Sequence, residues 1–279
     1  MKIYQKKLLD PKEIRSFQKK ILVFFKKQGR HDLPWRHTHD PYKILISEIM
    51  LQQTQVSRVQ QKYKEFLHAF PTLKKLACAS LFDILHVWQG MGYNRRARYL
   101  YDAIHIILRD HKGIIPTDEQ TLCTLPGIGK YTANAILTFA GNESRVFIET
   151  NIRRTFIYYF FPDQSGVGDT HLFPLIKQTL YVKDPRTWYY ALMDYGAQLP
   201  KIIKENPNIK SAHYTKQTTF KNSVRELRGK ILRILILGPH TFNKISSLCD
   251  NDVRITYTLN MLIKDKLIKN EGRGVYIIQ

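Results

Sequence analysis

The sequence predicts an all-helical protein that ends in a small mixed module. Three observations predict it. Apolar residues recur at helical spacing in most segments between residues 11 and 197, and no strand is convincing before residue 200. The turn Leu125-Pro126-Gly127-Ile128-Gly129 leads directly into a helix at Lys130. From Arg225 the pattern changes to three short helices followed by a strand hairpin.

In chain order, Ile14, Phe17, Ile21, Phe24 and Phe25 mark one side of a helix over 11–28, with lysines on the other. It ends near Gly29 and is followed by His31-Asp32-Leu33-Pro34-Trp35-Arg36, a turn that sets an aromatic beside a cation. Asp40-Pro41, an N-cap with proline at the first helical position, opens a helix expected to run to about Lys64. Glu48 lies within it and shares a face with Ile44 and Leu51, so it is a carboxylate in an apolar stripe. Short helices are expected over 73–77 and 81–88. Gly90-Met91-Gly92-Tyr93 reads as a tight turn, followed by Arg95, Arg96 and Arg98 and a helix to Arg109 with Leu100, Ile104, Ile107 and Leu108 inside. Thr117 is expected to cap the next short helix, which leads into the Leu125–Gly129 turn and a helix from Lys130 to about Ala140. Glu149 opens another over 152–161, and further helices are expected over 170–181 and 185–197, the last carrying Trp188, Leu192, Met193 and Tyr195.

Residues 201–224 read as a polar linker. Beyond it, Leu227, Ile231, Ile234 and Leu235 form an apolar face that ends at Gly238-Pro239, and 242–248 is a short helix. A third helix, capped by Asp252, is expected to turn Val253, Tyr257, Leu259, Leu262 and Ile263 inward. With a hairpin at 267–278, residues 225–279 have the order of a winged helix-turn-helix.

The charge narrows the partner. Forty-four basic against 23 acidic residues give +21, which favours a polyanion, most simply DNA or RNA. From Lys201 onward, 15 basic against 6 acidic residues carry part of that excess, so the C-terminal module is a DNA-contact candidate, with a protein-contact wing as the other reading. Cys78, Cys123 and Cys249 are far apart, which supports neither a disulfide framework nor a zinc site. No apolar run reaches membrane-spanning length, and the basic start of the chain lacks a signal-peptide core. A soluble, monomeric, cytoplasmic and nucleoid-associated protein is expected.

The turn at Leu125–Gly129 has its own chemistry. Two glycines let a backbone approach without a Cβ in the way. The first free N–H groups of the following helix face the same point, which suits a phosphate, and Lys130 adds positive charge.

Taken together, LPWR at 33–36, SEIMLQQTQV at 47–56, GMGYNRRAR at 90–98 and LPGIGKYTANAI at 125–136 resemble the helix-hairpin-helix DNA glycosylases of the endonuclease III superfamily, with MutY-type adenine DNA glycosylases as the nearest likeness. The likeness covers roughly residues 30–200. It implies a two-lobed glycosylase domain over 1–200, with a six-helix lobe at about 33–147 and a second lobe from 1–32 and 148–200 around a cleft. It places Glu48 as general acid, Glu149 where the family has an aspartate facing the sugar, and Asn151 beside that carboxylate. Tyr131 stands where bifunctional lyases have lysine. Gln52, Gln53 and Tyr93 match residues that push into the duplex, and Trp35, Arg36, Leu51 and Val56 line the base pocket.

Bottom-up chemistry agrees with that assignment. Cleaving an N-glycosidic bond calls for one proton-donating carboxyl and one anionic carboxylate. Glu48, among apolar residues, is expected to favour its neutral form, and Glu149, at a helix start, to stay ionised. A base in a duplex must be flipped before it can be reached. Gly127, Gly129, Lys130, Arg95, Arg96 and Arg98 would hold phosphates.

The chain departs from the family in four places. Glutamate stands at 149 in place of aspartate, with Thr150 after it where glycine is common. The cysteines that hold a four-iron four-sulfur cluster in most relatives are missing after residue 197, so no iron–sulfur cluster and no other cofactor is expected, and the linker near His213-Tyr214 would pack in its place. The C-terminal module is too short for the domain that reads 8-oxoguanine. Tyr190 lies where a polar pocket residue contacting adenine would be expected. The reading is a monofunctional DNA glycosylase of base excision repair acting on mismatched or damaged double-stranded DNA, with adenine opposite 8-oxoguanine or guanine as leading substrate. A uracil or thymine mismatch glycosylase and a non-catalytic DNA-binding protein are the alternatives.

Overall fold

The computed structural model describes residues 8–216 and 219–279, so the basic start of the chain and two positions of the 201–224 linker lie outside it. Among the described residues the α-helices are α1 (Pro11–Gln28), α2 (Pro41–Leu51), α3 (Val56–Ala69), α4 (Leu73–Ala77), α5 (Leu81–Val87), α6 (Arg95–Asp110), α7 (Glu119–Thr124), α8 (Lys130–Gly141), α9 (Thr150–Phe160), α10 (Asp169–Thr179), α11 (Pro185–Ile203), α12 (Val224–Ile236), α13 (Phe242–Leu248) and α14 (Ile255–Lys264). Strands β1 (His240–Thr241), β2 (Ile268–Asn270) and β3 (Val275–Ile278) form one antiparallel sheet in the order β1-β3-β2. None of the described helices is long and apolar enough to cross a membrane.

The chain divides into two compact units. The first comprises residues 1–40 and 129–216, the second residues 41–128 and 217–279. The division falls within the hairpin turn, after Ile128, rather than near residues 33 and 147.

In the first unit, α1, α9 and α11 pack on one another around Phe17, Ile21, Phe156, Trp188 and Leu192, all buried. Phe17 meets the rings of Phe156 and Trp188 edge-on at 5.5 and 5.8 Å. Contact between α9 and α11 is close enough that a Cβ on Gly196 would lie 2.1 Å from the Asn151 carbonyl oxygen. Helix α11 runs through Pro200 to Ile203, beyond the end expected at about Ala197. Pro200 has no N–H for the carbonyl four residues back, which is that of Gly196. Arg154 supplies the missing donor, with NH1 2.7 Å from the Gly196 oxygen.

The expected linker is ordered at its start. A 3-10 turn at Pro207–Lys210 packs on α9, Asn208 Nδ2 donates to the Thr150 oxygen at 2.9 Å, and Val167 bridges to Ser211. The segment against α9 is thus 206–211, a little before the His213-Tyr214 position expected.

In the second unit the single helix expected over 41–64 is two helices. The chain breaks after Leu51, where Gln53 takes a left-handed φ of 54°, and restarts at Val56. Asp118, not Thr117, caps α7, accepting from Thr121 N at 2.8 Å. Leu108 is 41 % exposed rather than inside.

The C-terminal module has the three helices and the hairpin read from the sequence, with β1 added. Its core is Leu227, Ile231, Leu235, Ile245, Leu259, Leu262 and Ile268. The inward face of α14 is Ile255, Thr258, Leu259 and Leu262, a helical stripe. Tyr257 and Ile263 fall off that stripe, and Val253 precedes the helix. All three are therefore exposed, contrary to expectation.

Candidate active site and nucleic-acid interface

Glu48 sits mid-helix in α2, and it is 5 % exposed. Eight of the eleven α2 residues are buried, among them Ile44, Leu45, Ile46, Ile49 and Met50. A buried carboxyl in so apolar a helix persists only with a specific task or partner.

Glu149, in the other unit, is held by polar groups. It is the N-cap of α9, with Oε1 accepting from Asn151 N and Ile152 N, both at 2.8 Å, and Oε2 accepting from Asn151 Nδ2 at 3.1 Å. Asn151 Oδ1 accepts from Arg154 NH1 at 2.9 Å, and Arg154 Nε reaches Asn206 Oδ1 at 3.1 Å. The sequence placed Asn151 beside Glu149, and the structure brings them together. Burial pushes the Glu149 carboxyl above its ordinary value, although the two backbone N–H groups and the charges of Arg154 and Arg153 pull the other way. The expected stabilisation of the anion by the helix start is present, but desolvation exceeds it.

Tyr131 is the second residue of α8 and meets Phe147 edge-on at 5.7 Å. Lys130 and Gly129, the N-cap of α8, are exposed. A Cβ on Gly129 would touch nothing, so its backbone is open to an approaching group. Gly127 is a glycine for a different reason. Its φ is 77°, and a Cβ there would lie 2.9 Å from Cβ of Tyr99.

The Gln52–Gln53 and Gly90–Tyr93 turns are both in the second unit, and one side chain holds them. Arg96 was expected to bind phosphate, but it is buried. Its NH1 donates to the carbonyls of Ile49, Met50 and Gln52 at 2.9, 2.7 and 2.6 Å, and its NH2 to Thr54 Oγ1 at 2.9 Å and Gly92 O at 3.2 Å. It caps the C-terminus of the helix that carries Glu48 and joins the Gln52–Gln53 turn to the Gly90–Tyr93 turn. Burial pulls the guanidinium down to about 10, which leaves it charged at neutral pH. Gln53 and Tyr93 are both left-handed, with φ of 54° and 47°. Gln53 is exposed, and Gln52 Nε2 donates to Gly127 O at 3.1 Å, tying this turn to the hairpin.

Arg95 and Arg98 are also corrected. Arg95 NH2 lies 2.6 Å from Asp265 Oδ1 in the C-terminal module, and Asp265 pairs as well with Arg228 at 2.6 Å. Arg98 Nε is 3.0 Å from both oxygens of Asp102, and its NH1 donates to Lys266 O at 3.0 Å. These cations are neutralised or engaged within the protein.

The expected pocket residues divide in the same way. Leu51 and Val56 flank the Gln52–Gln53 turn and are half-buried. Trp35 is buried in a 3-10 turn of the first unit. Arg36 and Tyr190 are engaged in a buried cluster of the first unit. Arg36 NH1 and NH2 donate to Asp194 at 2.7 and 2.8 Å, and its guanidinium lies over the Tyr190 ring at 4.4 Å. The other face of Tyr190 stacks on Phe139 at 4.4 Å. Arg30 completes the cluster through Asp194. Burial pushes the Asp194 carboxyl up, but the hydrogen bonds and charge of Arg36 and Arg30 hold it below the usual carboxylate range. Sequence reading missed Asp194, because nothing local links it to arginines more than 150 positions away. Arg96 could have been read correctly, since it lies four residues before Leu100 on the apolar stripe of α6.

The segment after α11 offers Asn206, Asn208 and Ser211, which are not thiolates, and the three cysteines lie elsewhere in the sequence.

Comparison with known proteins follows the same signatures. Residues 46–189 match the model of the HhH-GPD superfamily base excision DNA repair proteins. The chain is 40 % identical over 223 residues to an adenine DNA glycosylase of Mycolicibacterium smegmatis, covering 74 % of this chain and 76 % of that one. It is 37 % identical over 195 residues to an adenine DNA glycosylase of Buchnera aphidicola, covering 68 % of this chain and 54 % of that one, so it spans about half the length of that relative. Among solved structures, a thermostable thymine-DNA glycosylase matches with TM-score 0.61 and 28 % identity, over 67 % of this chain and 87 % of that one. An endonuclease III–DNA complex matches with TM-score 0.57 at 18 % identity, over 67 % of this chain and 86 % of that one, a likeness of fold alone. With a buried carboxyl in α2 and a glycine-built hairpin at α8 already in place, the chain belongs to the HhH-GPD superfamily of base excision DNA repair proteins.

Proposed function

We propose that this protein is a monofunctional DNA N-glycosylase that removes adenine mispaired with 8-oxoguanine or guanine from double-stranded DNA. The observation that carries the reading is Glu48, a carboxyl 5 % exposed in the middle of an apolar helix and inside the stretch SEIMLQQTQV. Such a group is suited to hand a proton to a leaving base. Glu149 would balance the positive charge that develops on the sugar, with Asn151 and two backbone N–H groups fixing its orientation. Gln53 and Tyr93 would fill the space a flipped nucleotide leaves. The exposed Gly129–Lys130 start of α8 would hold backbone phosphate. Tyr131 in place of a lysine supports hydrolysis without a covalent enzyme–sugar step. No iron–sulfur cluster is part of the proposal.

The adenine assignment follows the relatives' names and is tested by a panel of mismatched duplexes, treated with alkali and sized on a gel. Adenine release opposite 8-oxoguanine or guanine is the expected result, and borohydride should trap no protein–DNA adduct. The likeness to a thymine-DNA glycosylase favours a second reading, excision of thymine or uracil opposite guanine. Release of those bases without adenine would establish it. Absence of release from every duplex, with DNA binding retained by Glu48→Gln, would leave a DNA-binding protein. The C-terminal module has winged-helix order, and its excess of basic residues supports DNA contact there as well.

A further inference from the structure

We propose that Arg225, at the start of the C-terminal module, is a positioning residue for Tyr93, so that the module sets the residue that enters the duplex. This rests on the excision reading above. Arg225 NH1 donates to the Tyr93 hydroxyl at 2.8 Å, and its guanidinium lies 5.9 Å from the ring centroid. The Arg96 guanidinium lies 5.5 Å from the same centroid. The phenol is therefore held at its tip by one cation, with a second cation beside the ring. The backbone beneath it has a φ of 47°, a setting that tyrosine rarely adopts. Arg96 fixes the turn, through Gly92 O at 3.2 Å and, at a longer 3.4 Å, Tyr93 O. Those two bonds hold the backbone of the turn, and Arg225 holds the tip of the side chain.

The bond is not simply a by-product of docking. The module is anchored on α6 by other groups, Asp265 between Arg95 and Arg228 and the Lys266 carbonyl on Arg98, and α12 packs on α5. Asp265 is 7 % exposed, so that anchor is a shielded ion pair. With the module already seated, the Arg225–Tyr93 contact adds mainly orientation. A ring held in one rotamer enters a stack without first losing rotamer freedom, and that advantage appears in the rate of insertion more than in overall affinity.

A double-mutant cycle tests this on the full chain. Arg225→Met keeps an unbranched apolar stem and removes the donors; Tyr93→Phe keeps the ring and removes the hydroxyl. Insertion is read by the fluorescence of 2-aminopurine placed beside an abasic-site analogue in a duplex, and excision is read in single turnover at saturating protein. Arg225→Met is expected to slow both about five- to tenfold in the Tyr93 protein and less than about twofold in the Tyr93→Phe protein, the non-additivity expected of directly bonded groups. Arg225→Lys, which can still donate, is expected to recover most of the loss while melting with the wild type. Equal losses in both backgrounds, or no loss in either, would overturn the proposal. Wild-type protein that releases no base while the fluorescence coupling persists would overturn the excision reading and leave the Arg225–Tyr93 link standing.

Discussion

The two compact units hold their carboxyls in opposite ways. The second unit places Glu48 in the middle of a helix whose other buried residues are mostly apolar. The first unit places Glu149 at the start of a helix, where two backbone N–H groups, the Asn151 amide and an arginine behind it converge. On the proposed reading, Glu48 would donate a proton and Glu149 would face a developing positive charge, so that an acid and an anion are drawn from the same residue type. That difference also makes the two substitutions unequal. Glu48→Gln keeps the shape of α2 and removes the carboxyl proposed to donate the proton, so excision should fall about a thousandfold, within the span measured for general acids. Affinity for the mismatched duplex should stay within about twofold, because phosphate contacts dominate it. Gel-shift and single-turnover assays on the same preparation check both halves. Excision within tenfold of wild type would break the contrast between the units at its strongest point.

Glu149 sharpens the comparison through pH. Burial raises its carboxyl above the ordinary value of 4.5, so the anion forms only above a raised threshold. Excision should therefore lose activity on its acid side at a pH higher than an exposed glutamate would give. Glu149→Gln should cost about a hundredfold in rate at neutral pH, less than Glu48→Gln, the scale of losing one electrostatic contact to the transition state. Stability has the opposite sign. Between 4.5 and the raised value the folded chain binds more protons at this site than the unfolded chain does. The site's contribution is thus fully present below 4.5 and is lost as pH rises through the raised value. Melting curves across that range should show wild type losing ground to Glu149→Gln as pH rises. A constant difference would mean that the anion is as well solvated folded as unfolded.

The sequence carried the fold and the identity of these carboxyls further than it carried the surroundings. Helix periodicity, caps and the hairpin are local signals, and most helices form where those signals stand. The break at Gln53 was illegible because it depends on a side chain from α6: Arg96 takes the last α2 carbonyls and so lets the helix stop there. The three arginines at 95, 96 and 98 read alike as cations. Only tertiary structure separates one that is buried from two that face the C-terminal module. Arg36 and Tyr190 illustrate the same limit, since their partner Asp194 is remote in the chain.

Arg96 sharpens the comparison from the second unit's side. The first unit fixes Glu149 by bonds to the carboxyl itself, whereas in the second Arg96 closes the end of the helix that carries Glu48. Arg96→Met would leave the carbonyls of Ile49, Met50, Gln52 and Gly92 without this donor. Waters that enter the gap would recover part of the loss, so a destabilisation of about 3 kcal/mol is expected, the scale of one or two buried groups left unsatisfied. Urea titration checks it. Excision should fall about tenfold as α2 frays toward Glu48, with no change in the acid-side pH threshold, because Glu149 is held by separate bonds.

The smallest expected effect concerns the cations. Those of the second unit at 95 and 98 are spoken for by Asp265, Asp102 and the Lys266 carbonyl, whereas Lys130 in the first unit is exposed at the open N-terminus of α8. A cation already neutralised by a carboxylate releases few counterions when DNA arrives. Lys130→Ala should therefore reduce the dependence of log affinity on log salt by about 0.9, the contribution of one phosphate contact, and weaken binding evenly across sequences. Arg98→Ala should leave that slope unchanged. If instead Arg98→Ala flattens the slope as much as Lys130→Ala does, the ion pair with Asp102 opens when DNA binds, and the second unit contributes a phosphate grip that its unbound state conceals.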